Sequence, residues 1–196
     1  MRFPFRLSLL LPLLPLSTMA DTNTQSLVLG GGCFWCTDAA YKLLPGVKHV
    51  TCGYAGGTAS NPTYEEVSTG TTGHAEVIKI DFDPAQTSLG KLIDYFWIVH
   101  NPTQTDGQGD DIGSQYRSII LYASPEQNVA AEKSRAEAGR RFRDPITTEI
   151  APLLKFWPAE DYHQDYFDKH PDQGYCRIVI APKVAKLKKE LKSGGN

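Results

Sequence analysis

The sequence has no surplus of positive charge, since 20 Lys and Arg stand against 22 Asp and Glu and the formal net charge is −2. A general basic field is therefore absent, and we expect no nucleic-acid partner. There is also no internal repeat and no low-complexity linker. The 196 residues are 41% apolar and 21% charged, which predicts one globular domain with a substantial core.

The sequence lacks an apolar run long enough to cross a bilayer as a helix, which takes about 20 residues. The leucine-rich run at residues 7–16 is shorter and is broken by prolines. Arg2 and Arg6 precede it, and a small-x-small motif ending at Ala20 follows, the pattern of a secretory signal peptide. We expect cleavage after Ala20, a mature domain at residues 21–196, no stable membrane anchor after cleavage, and export to the bacterial periplasm. The alternatives are an uncleaved anchor or a buried helix.

Cysteines are few, and only Cys33 and Cys36 form a Cys-x-x-Cys pair. Structural zinc sites usually combine two such motifs, and Cys52 and Cys176 are too far apart to form a second one. A zinc module built from all four cysteines is the non-enzymatic alternative. The even count permits two structural disulfides, but a chain of this size does not need them. A Cys-x-x-Cys pair after a strand is more often redox-active, so a thioredoxin-like disulfide oxidoreductase is the enzymatic alternative.

The rest of the chain is organised around the segment GGGCFWC at residues 30–36. An apolar run at 26–29 predicts a strand before it, and helical composition at 33–44 predicts a helix after it. Cys33 then lies at a helix N-terminus, where free N–H groups and the helix dipole favour an anion such as a thiolate. Cys36 lies on the same helix face, although the first turn must loosen for the two sulfurs to bond.

Downstream, strands and helices are interleaved without a regular strand–helix–strand rhythm, which favours an α+β sandwich with helices packed on one sheet. Thr63 is a candidate N-cap with Glu66 in capping-box position. The polar loop at 101–113 has the length of functional loops, and the lysines at 183–192 predict a solvated helix face. The other predicted strands are 47–54, 74–82, 116–122, 147–153 and 176–180, and the other predicted helices are 64–68, 88–100, 125–142, 160–169 and one from residue 182.

Several polar side chains could assist a cysteine nucleophile, because attack on a target with a poor leaving group needs an acid. The candidates for that acid are Glu76 and two adjacent residues of the polar loop, Asp110 and Asp111. Tyr64 and Tyr116 could donate hydrogen bonds. Taken singly, the two aspartates indicate a solvated loop and the two tyrosines indicate core aromatics.

The sequence resembles the peptide methionine sulfoxide reductases of the A type, and the resemblance covers nearly the whole mature chain. It rests on several segments that occur in the same order. These are GCFW at 32–35, GYAGG at 53–57, NPTYEEV at 61–67, GHAE at 73–76, GSQYRS at 113–118, EDYHQ at 160–164 and GYC at 174–176.

The resemblance implies catalytic roles for the matching residues. Cys33 is the implied nucleophile, and Glu76 is the implied acid that protonates the sulfoxide oxygen. Tyr64 and Tyr116 are the implied hydrogen-bond donors to that oxygen, with Asp111 as an outer group that holds the polar network. A carboxyl group packed against apolar side chains is desolvated, so we expect a raised pKa for Glu76. Whether Cys33 is ionised before substrate binds stays open, because the same apolar wall disfavours a thiolate.

The resemblance also implies the substrate and the fold. Phe34 and Trp35 are the implied pocket for the substrate's methyl group. The implied substrate is the S epimer of methionine sulfoxide, free or in proteins, and each epimer has its own enzyme type. The implied fold is a two-layer α+β sandwich with a ferredoxin-like mixed sheet core. No cofactor and no metal are implied, and we expect a monomer.

Recycling is expected to use a second cysteine. Cys36 attacks the sulfenic acid of Cys33 to form a disulfide, which a thioredoxin or thioredoxin-like reductant then opens. Many relatives have glycine at position 36 and resolve with a cysteine nearer the C-terminus. Cys176 is therefore either a relay to the reductant or a buried thiol, and Cys52, which departs from the family pattern, is interpreted as a buried small residue.

Overall fold

The structure is a computed structural model that describes residues 24–193, so the predicted signal peptide lies outside the described residues. A six-stranded mixed sheet and its helices confirm the α+β class. Among residues 24–193, no helix combines the length and the apolar character needed to span a membrane.

The sheet strands are β1 Gln25–Gly30, β2 Val47–Ala55, β3 Ala75–Phe82, β6 Ile119–Tyr122, β7 Glu149–Pro152 and β8 Phe156–Pro158, and β4 Gly107–Gln108 pairs separately with β5 Asp111–Ile112. The helices are α1 Phe34–Tyr41, α2 Tyr64–Ser68, α3 Leu89–Val99, α4 Pro125–Ala138, α5 Tyr166–Lys169 and α6 Ala181–Ser193.

The strands follow the order β7-β6-β1-β3-β2-β8, and every neighbouring pair is antiparallel except β6 and β7. Side chains alternate along a strand, so Glu76 shares one face of β3 with Ile78 and Ile80. That face packs into the main apolar core together with side chains of the helices, such as Phe34 of α1 and Phe96 of α3. Glu76 therefore continues an apolar row, and its burial follows from its register.

Two glycines bring the cysteine segment close to β3. A Cβ atom on Gly30 would lie 2.3 Å from the backbone oxygen of Glu76, so only glycine lets the end of β1 approach so closely. Gly32 has a φ of 86°, and its N–H donates to the carbonyl of Tyr116 at 3.0 Å. The chain thus turns from β1 directly into α1 beside the start of β3.

The prediction of a strand at residues 176–180 is wrong. Cys176–Ile180 forms a π-helical turn that continues into α6. Cys176 and Ile180 are fully buried whereas Ile178 is 77% exposed, which is the four-residue spacing of a helix. A short apolar run is compatible with either structure, and here the packing of the segment on α1 decides.

Smaller differences from the prediction occur at polar and aromatic segments. The loop at 101–113 contains the β4–β5 hairpin, and β8 was not predicted because three residues carry too short a pattern. The strand predicted at 116–122 begins only at Ile119, because Ser114–Tyr116 form a 3₁₀ turn. The helix predicted at 160–169 is divided into a 3₁₀ turn and α5 by Asp165, which has a φ of 56°.

Candidate active site

A cavity of about 260 Å³ opens at the start of α1. It is lined by Cys33, Phe34, Trp35, Tyr64, Glu76, Asp111, Tyr116 and Tyr175. All of these except Tyr175 were predicted as site residues from the sequence, so residues distant in the chain meet as expected. Three larger clefts contain no cysteine: two, of about 380 and 470 Å³, lie along α3, and one, of about 420 Å³, lies at residues 169–174.

Cys33 is the N-cap residue of α1, as predicted, and its side chain is buried. Its carbonyl accepts the N–H of Cys36 at 3.0 Å and that of Thr37 at 3.5 Å, so the first turn is tightened. Burial raises the pKa of the Cys33 thiol well above its ordinary value, and a hydrogen bond with Cys36 and the nearby Glu76 raise it further. The backbone at the helix terminus acts in the opposite direction but is outweighed. Cys33 is therefore a neutral thiol before substrate binds.

Glu76 contributes a buried carboxyl group to the lining of the cavity. Its side chain is 1% exposed, and its Oε2 accepts the N–H of Phe34 at 3.0 Å. Burial raises the pKa of Glu76 to about 8, although the Phe34 N–H favours the ionised form. The carboxyl group is accordingly mostly protonated at neutral pH, which agrees with the expectation from the sequence.

Two tyrosines line the cavity from separate elements. Tyr64 is the first residue of α2, and the predicted capping box is present, since Thr63 and Glu66 each accept the other's backbone N–H. The N–H of Tyr64 also donates to Glu160 at 2.8 Å, which fixes the start of this helix. Tyr116 ends the 3₁₀ turn before β6. Burial, followed by the charge of Glu76, raises the pKa of both tyrosine hydroxyls, so both remain donors.

An apolar wall completes the cavity. Phe34 is 1% exposed, whereas Trp35 is only partly buried and stacks on Tyr166 at 3.7 Å between ring centroids. His163 packs against Phe34 and Tyr64, at 4.9 and 4.5 Å between ring centroids. Burial lowers the pKa of His163, and its ring nitrogens have no hydrogen-bond partner among residues 24–193, so it acts as a neutral packing residue. The indole of Trp35 is thus held flat at the edge of the site.

Sequence reasoning missed Tyr175, although it lies in the GYC segment that carried part of the resemblance. Its hydroxyl donates to Asp111 Oδ2 at 2.8 Å and lies 3.8 Å from the sulfur of Cys36. Its ring also meets the edge of Trp35 at 6.1 Å. Asp111 is therefore connected to the second cysteine through Tyr175.

Comparison with known proteins agrees with this geometry. A family model described as peptide methionine sulfoxide reductase matches residues 25–194. The chain belongs to the peptide methionine sulfoxide reductase family. One curated relative, "Peptide methionine sulfoxide reductase MsrA" of Leptospira borgpetersenii, is 50% identical over 170 residues, which cover 87% of this chain and 95% of the relative.

Solved structures of methionine sulfoxide reductases have the same fold. Methionine sulfoxide reductase A of Corynebacterium diphtheriae matches with a TM-score of 0.76 and 36% identity, over 81% of this chain and 80% of that one. Mxr1 of Saccharomyces cerevisiae in reduced form matches with a TM-score of 0.76 and 32% identity, over 80% and 91%. A structure of Mxr1 in complex with Trx2 matches with a TM-score of 0.55 and 24% identity, over 76% and 91%.

All four cysteines of this reductase are free thiols. Cys52 is fully buried in β2, as expected for a small core residue. Cys176 is also fully buried and belongs to the apolar cluster that packs against Cys36. A relay through Cys176 therefore requires this segment to open. Within the described part of the chain, no group of three or more His, Cys, Asp or Glu side chains is arranged to hold a metal ion.

Proposed function

We propose that the chain reduces the S epimer of methionine sulfoxide, free or in peptides and proteins, to methionine. The observation that carries this proposal is a buried, protonated carboxyl group, Glu76, in the same cavity as the thiol of Cys33. A sulfoxide oxygen leaves badly unless it is protonated, and an acid with a pKa of about 8 can donate a proton at neutral pH. Membership of the family supports the same reaction.

The cavity offers different walls to the two small groups on the sulfoxide sulfur. Phe34 and Trp35 accept the methyl group, while Tyr64 and Tyr116 donate hydrogen bonds to the oxygen. The sulfur is stereogenic, so with methyl and oxygen held on opposite walls only one epimer presents its sulfur to Cys33. The S epimer is the one that the family resemblance implies.

In the first step, Glu76 gives its proton to the sulfoxide oxygen as the sulfur of Cys33 attacks the sulfoxide sulfur and forms a transient S–S bond. The hydroxyl group then moves from the substrate sulfur to the Cys33 sulfur. The S–O bond of the substrate and the transient S–S bond break, and a new S–O bond leaves Cys33 as a sulfenic acid. The thiol proton of Cys33 passes to the vacated carboxylate, so Glu76 is protonated again. Cys33 loses two electrons, and the substrate sulfur gains them as methionine leaves.

Recycling restores the thiol of Cys33. Cys36 attacks the sulfenic sulfur, and the hydroxyl leaves as water with the proton of Glu76. A thioredoxin or thioredoxin-like dithiol then reduces the disulfide between the two cysteines. The solved complex of the relative Mxr1 with Trx2 supports a reductant of this kind.

We also infer that the core is a two-layer sandwich of the ferredoxin-like type. The strand order β6-β1-β3-β2 with antiparallel neighbours supports this. Along the chain, α1 connects β1 to β2 and α3 lies between β3 and β6, as this type of fold requires. Cys33, Glu76, Tyr64 and Tyr116 meet in one cavity without a second copy of the chain, so we propose that the chain acts as a monomer.

We further propose that the chain is exported to the bacterial periplasm, on the strength of the pattern in residues 1–20. The periplasm is kept oxidising, so the disulfide needs a dedicated thioredoxin-like electron donor there. N-terminal sequencing of the periplasmic protein should begin at Asp21. A chain that retains Met1 contradicts cleavage.

The proposed reaction is tested by incubating the reduced chain with each epimer of methionine sulfoxide, without an added reductant. The S epimer should give methionine in stoichiometric amount, and the R epimer none. Addition of thioredoxin and its reductase should then give continuous turnover with the S epimer. Cys33→Ser is the matched control and should give no methionine. Equal conversion of both epimers, or methionine from Cys33→Ser, contradicts the proposal.

A further inference from the structure

Cys36 is surrounded by polar groups from separate segments of the chain. The Nζ of Lys183, on α6, donates a hydrogen bond to the Cys36 sulfur at 3.7 Å. The hydroxyl of Tyr175 lies 3.8 Å from the same sulfur, and Cys33 makes a side-chain hydrogen bond with Cys36. The lysines of α6 were predicted to form a solvated face, so the inward Lys183 is a correction. Because Cys36 is partly buried, water screens this charge only in part.

Some of the groups that face Cys36 lower its pKa and others raise it. The hydrogen bond from Cys33 lowers the pKa of Cys36 most, and Lys183 and Tyr175 lower it further. Burial and the charge of Asp111 act in the opposite direction, and the resulting pKa is about 7. The other titratable groups whose charge couples to this site are Cys176 and Glu76, whose own pKa values are raised, so both are mostly neutral at pH 7.

We propose that Lys183 is a catalytic residue of the resolving step, in which its ammonium group holds the sulfur of Cys36 as a thiolate for attack on oxidised Cys33. This inference rests on the proposed function. In the reduced chain the S–H of Cys33 supports the thiolate of Cys36. After the first step Cys33 is a sulfenic acid and has no S–H, so Lys183 is left as the fixed positive charge beside the attacking sulfur.

The step requires no further reactant. An S–S bond forms between Cys36 and Cys33 while the S–O bond of the sulfenic acid breaks. The hydroxide takes the proton of Glu76 and leaves as water. The sulfenic sulfur is reduced as the sulfur of Cys36 is oxidised. The thiolate is the reacting form of a cysteine, so the ionised fraction of Cys36 limits the rate of this step at every pH below the pKa of that thiol.

The experiment separates the two steps in one rapid-mixing series. Chains carrying Cys176→Ser, so that Cys36 is the available partner, are mixed with a stoichiometric amount of the S epimer between pH 6 and pH 9. Methionine formation reports the first step. Decay of the Cys33 sulfenic acid, trapped with dimedone and measured by mass spectrometry, reports the second. The variants are Lys183→Met, Lys183→Gln and Lys183→Arg, with Lys188→Met as the matched control on the exposed side of α6.

Lys183→Met and Lys183→Gln should still form the stoichiometric amount of methionine. The midpoint of the pH dependence of disulfide formation between Cys36 and Cys33, here called closure, should move upward by about one pH unit. At pH 6 closure should be about threefold slower, because the ionised fraction falls about tenfold while the intrinsic nucleophilicity of the thiolate rises about threefold. By pH 9 these variants should match or exceed the parent chain, a crossing that a purely structural defect does not produce.

Lys183→Arg restores the charge and should keep the parent profile, as should Lys188→Met. An unchanged midpoint in both neutral variants overturns the inference. Absence of methionine from the parent chain overturns the proposed function instead, so the two failures are distinguishable. Two neutral variants are measured so that misfolding of one does not decide the result.

Discussion

Replacement of Glu76 by Gln should stabilise the protein at neutral pH and remove most of its activity. The side chain is 1% exposed, and the pKa of the folded state is about 8 against an ordinary value of 4.5. Because the folded value is the higher one, the folded chain binds this proton more tightly than the unfolded chain between pH 4.5 and about 8. The free energy of unfolding therefore falls as the pH rises through this window.

The magnitude follows from the distance between the working pH and the unfolded pKa. At pH 7 this distance, 7 minus 4.5, is 2.5 units. At about 1.36 kcal/mol per unit, keeping Glu76 protonated costs the folded state about 3 kcal/mol as an upper limit. Glutamine carries a neutral amide of the same shape, and its oxygen can still accept the N–H of Phe34. The stabilisation should shrink below about 1 kcal/mol at pH 5, because that pH lies only about half a unit above the unfolded pKa of 4.5, so protonating the unfolded carboxylate there costs little free energy.

The same replacement removes the proton that the sulfoxide oxygen needs. General acid catalysis contributes about 10²–10⁴ in rate, so Glu76→Gln should slow methionine formation by that factor, which is about 3–5 kcal/mol of barrier. In the parent chain the rate of this step should fall as the pH rises through about 8, since the carboxyl group then loses its proton.

Urea unfolding at pH 5 and pH 7 measures the stability, and single-turnover methionine formation measures the chemistry. Glu137→Gln, at an exposed position on α4, is the matched control and should change neither. A stability difference that is equal at pH 5 and pH 7 would refute the raised pKa of Glu76. A full single-turnover rate in Glu76→Gln would refute its role as the acid.

Three further outcomes are expected. Tyr64→Phe and Tyr116→Phe should each lower kcat/KM by about tenfold, since one hydrogen bond is worth about 1 kcal/mol or somewhat more; an unchanged kcat/KM in both contradicts their role as donors. Cys36→Ser should keep the stoichiometric methionine but lose turnover with thioredoxin, with sulfenic acid accumulating by mass spectrometry; sustained turnover contradicts its role as the resolving thiol. Thr63→Ala should lower the free energy of unfolding in urea by about 1 kcal/mol through loss of the capping box, whereas the exposed Thr58→Ala should not.

The parts of the site that could be predicted from the sequence depend on local signals. The glycines before Cys33 indicate a tight turn, and the helical composition after it indicates the N-terminus on which it lies. The spacing of Thr63 and Glu66 indicates the start of α2 and thereby the position of Tyr64. That the carboxyl group and the thiol share one cavity came from the family resemblance, because strand register between β1 and β3 is a long-range property.

The residues that were missed lie in the C-terminal segment, whose position depends on packing against α1. Its β-branched residues favour a strand, but the contact of Cys176 and Ile180 with α1 selects a helical turn. Ile180, at the end of that turn, forms one buried row with Val184 and Leu187 of α6. Lys183 lies three residues after the first of these, at the edge of the buried face. With the correct start of the helix, helical periodicity alone would have predicted that Lys183 points inward.

The two cysteines at the start of α1 differ in acidity in the direction that their proposed order of action requires. Burial raises the pKa of Cys33, whereas the groups around Cys36 hold its pKa at about 7. Oxidation of a cysteine follows thiolate character and exposure, so a neutral, buried Cys33 is protected from general oxidants. A sulfoxide oxygen that takes the proton of Glu76 leaves a carboxylate that can accept the thiol proton, so substrate itself activates Cys33. In the proposed resolving step, Cys36 attacks a sulfur that is already electrophilic, and for that attack a thiolate present before the reaction is sufficient.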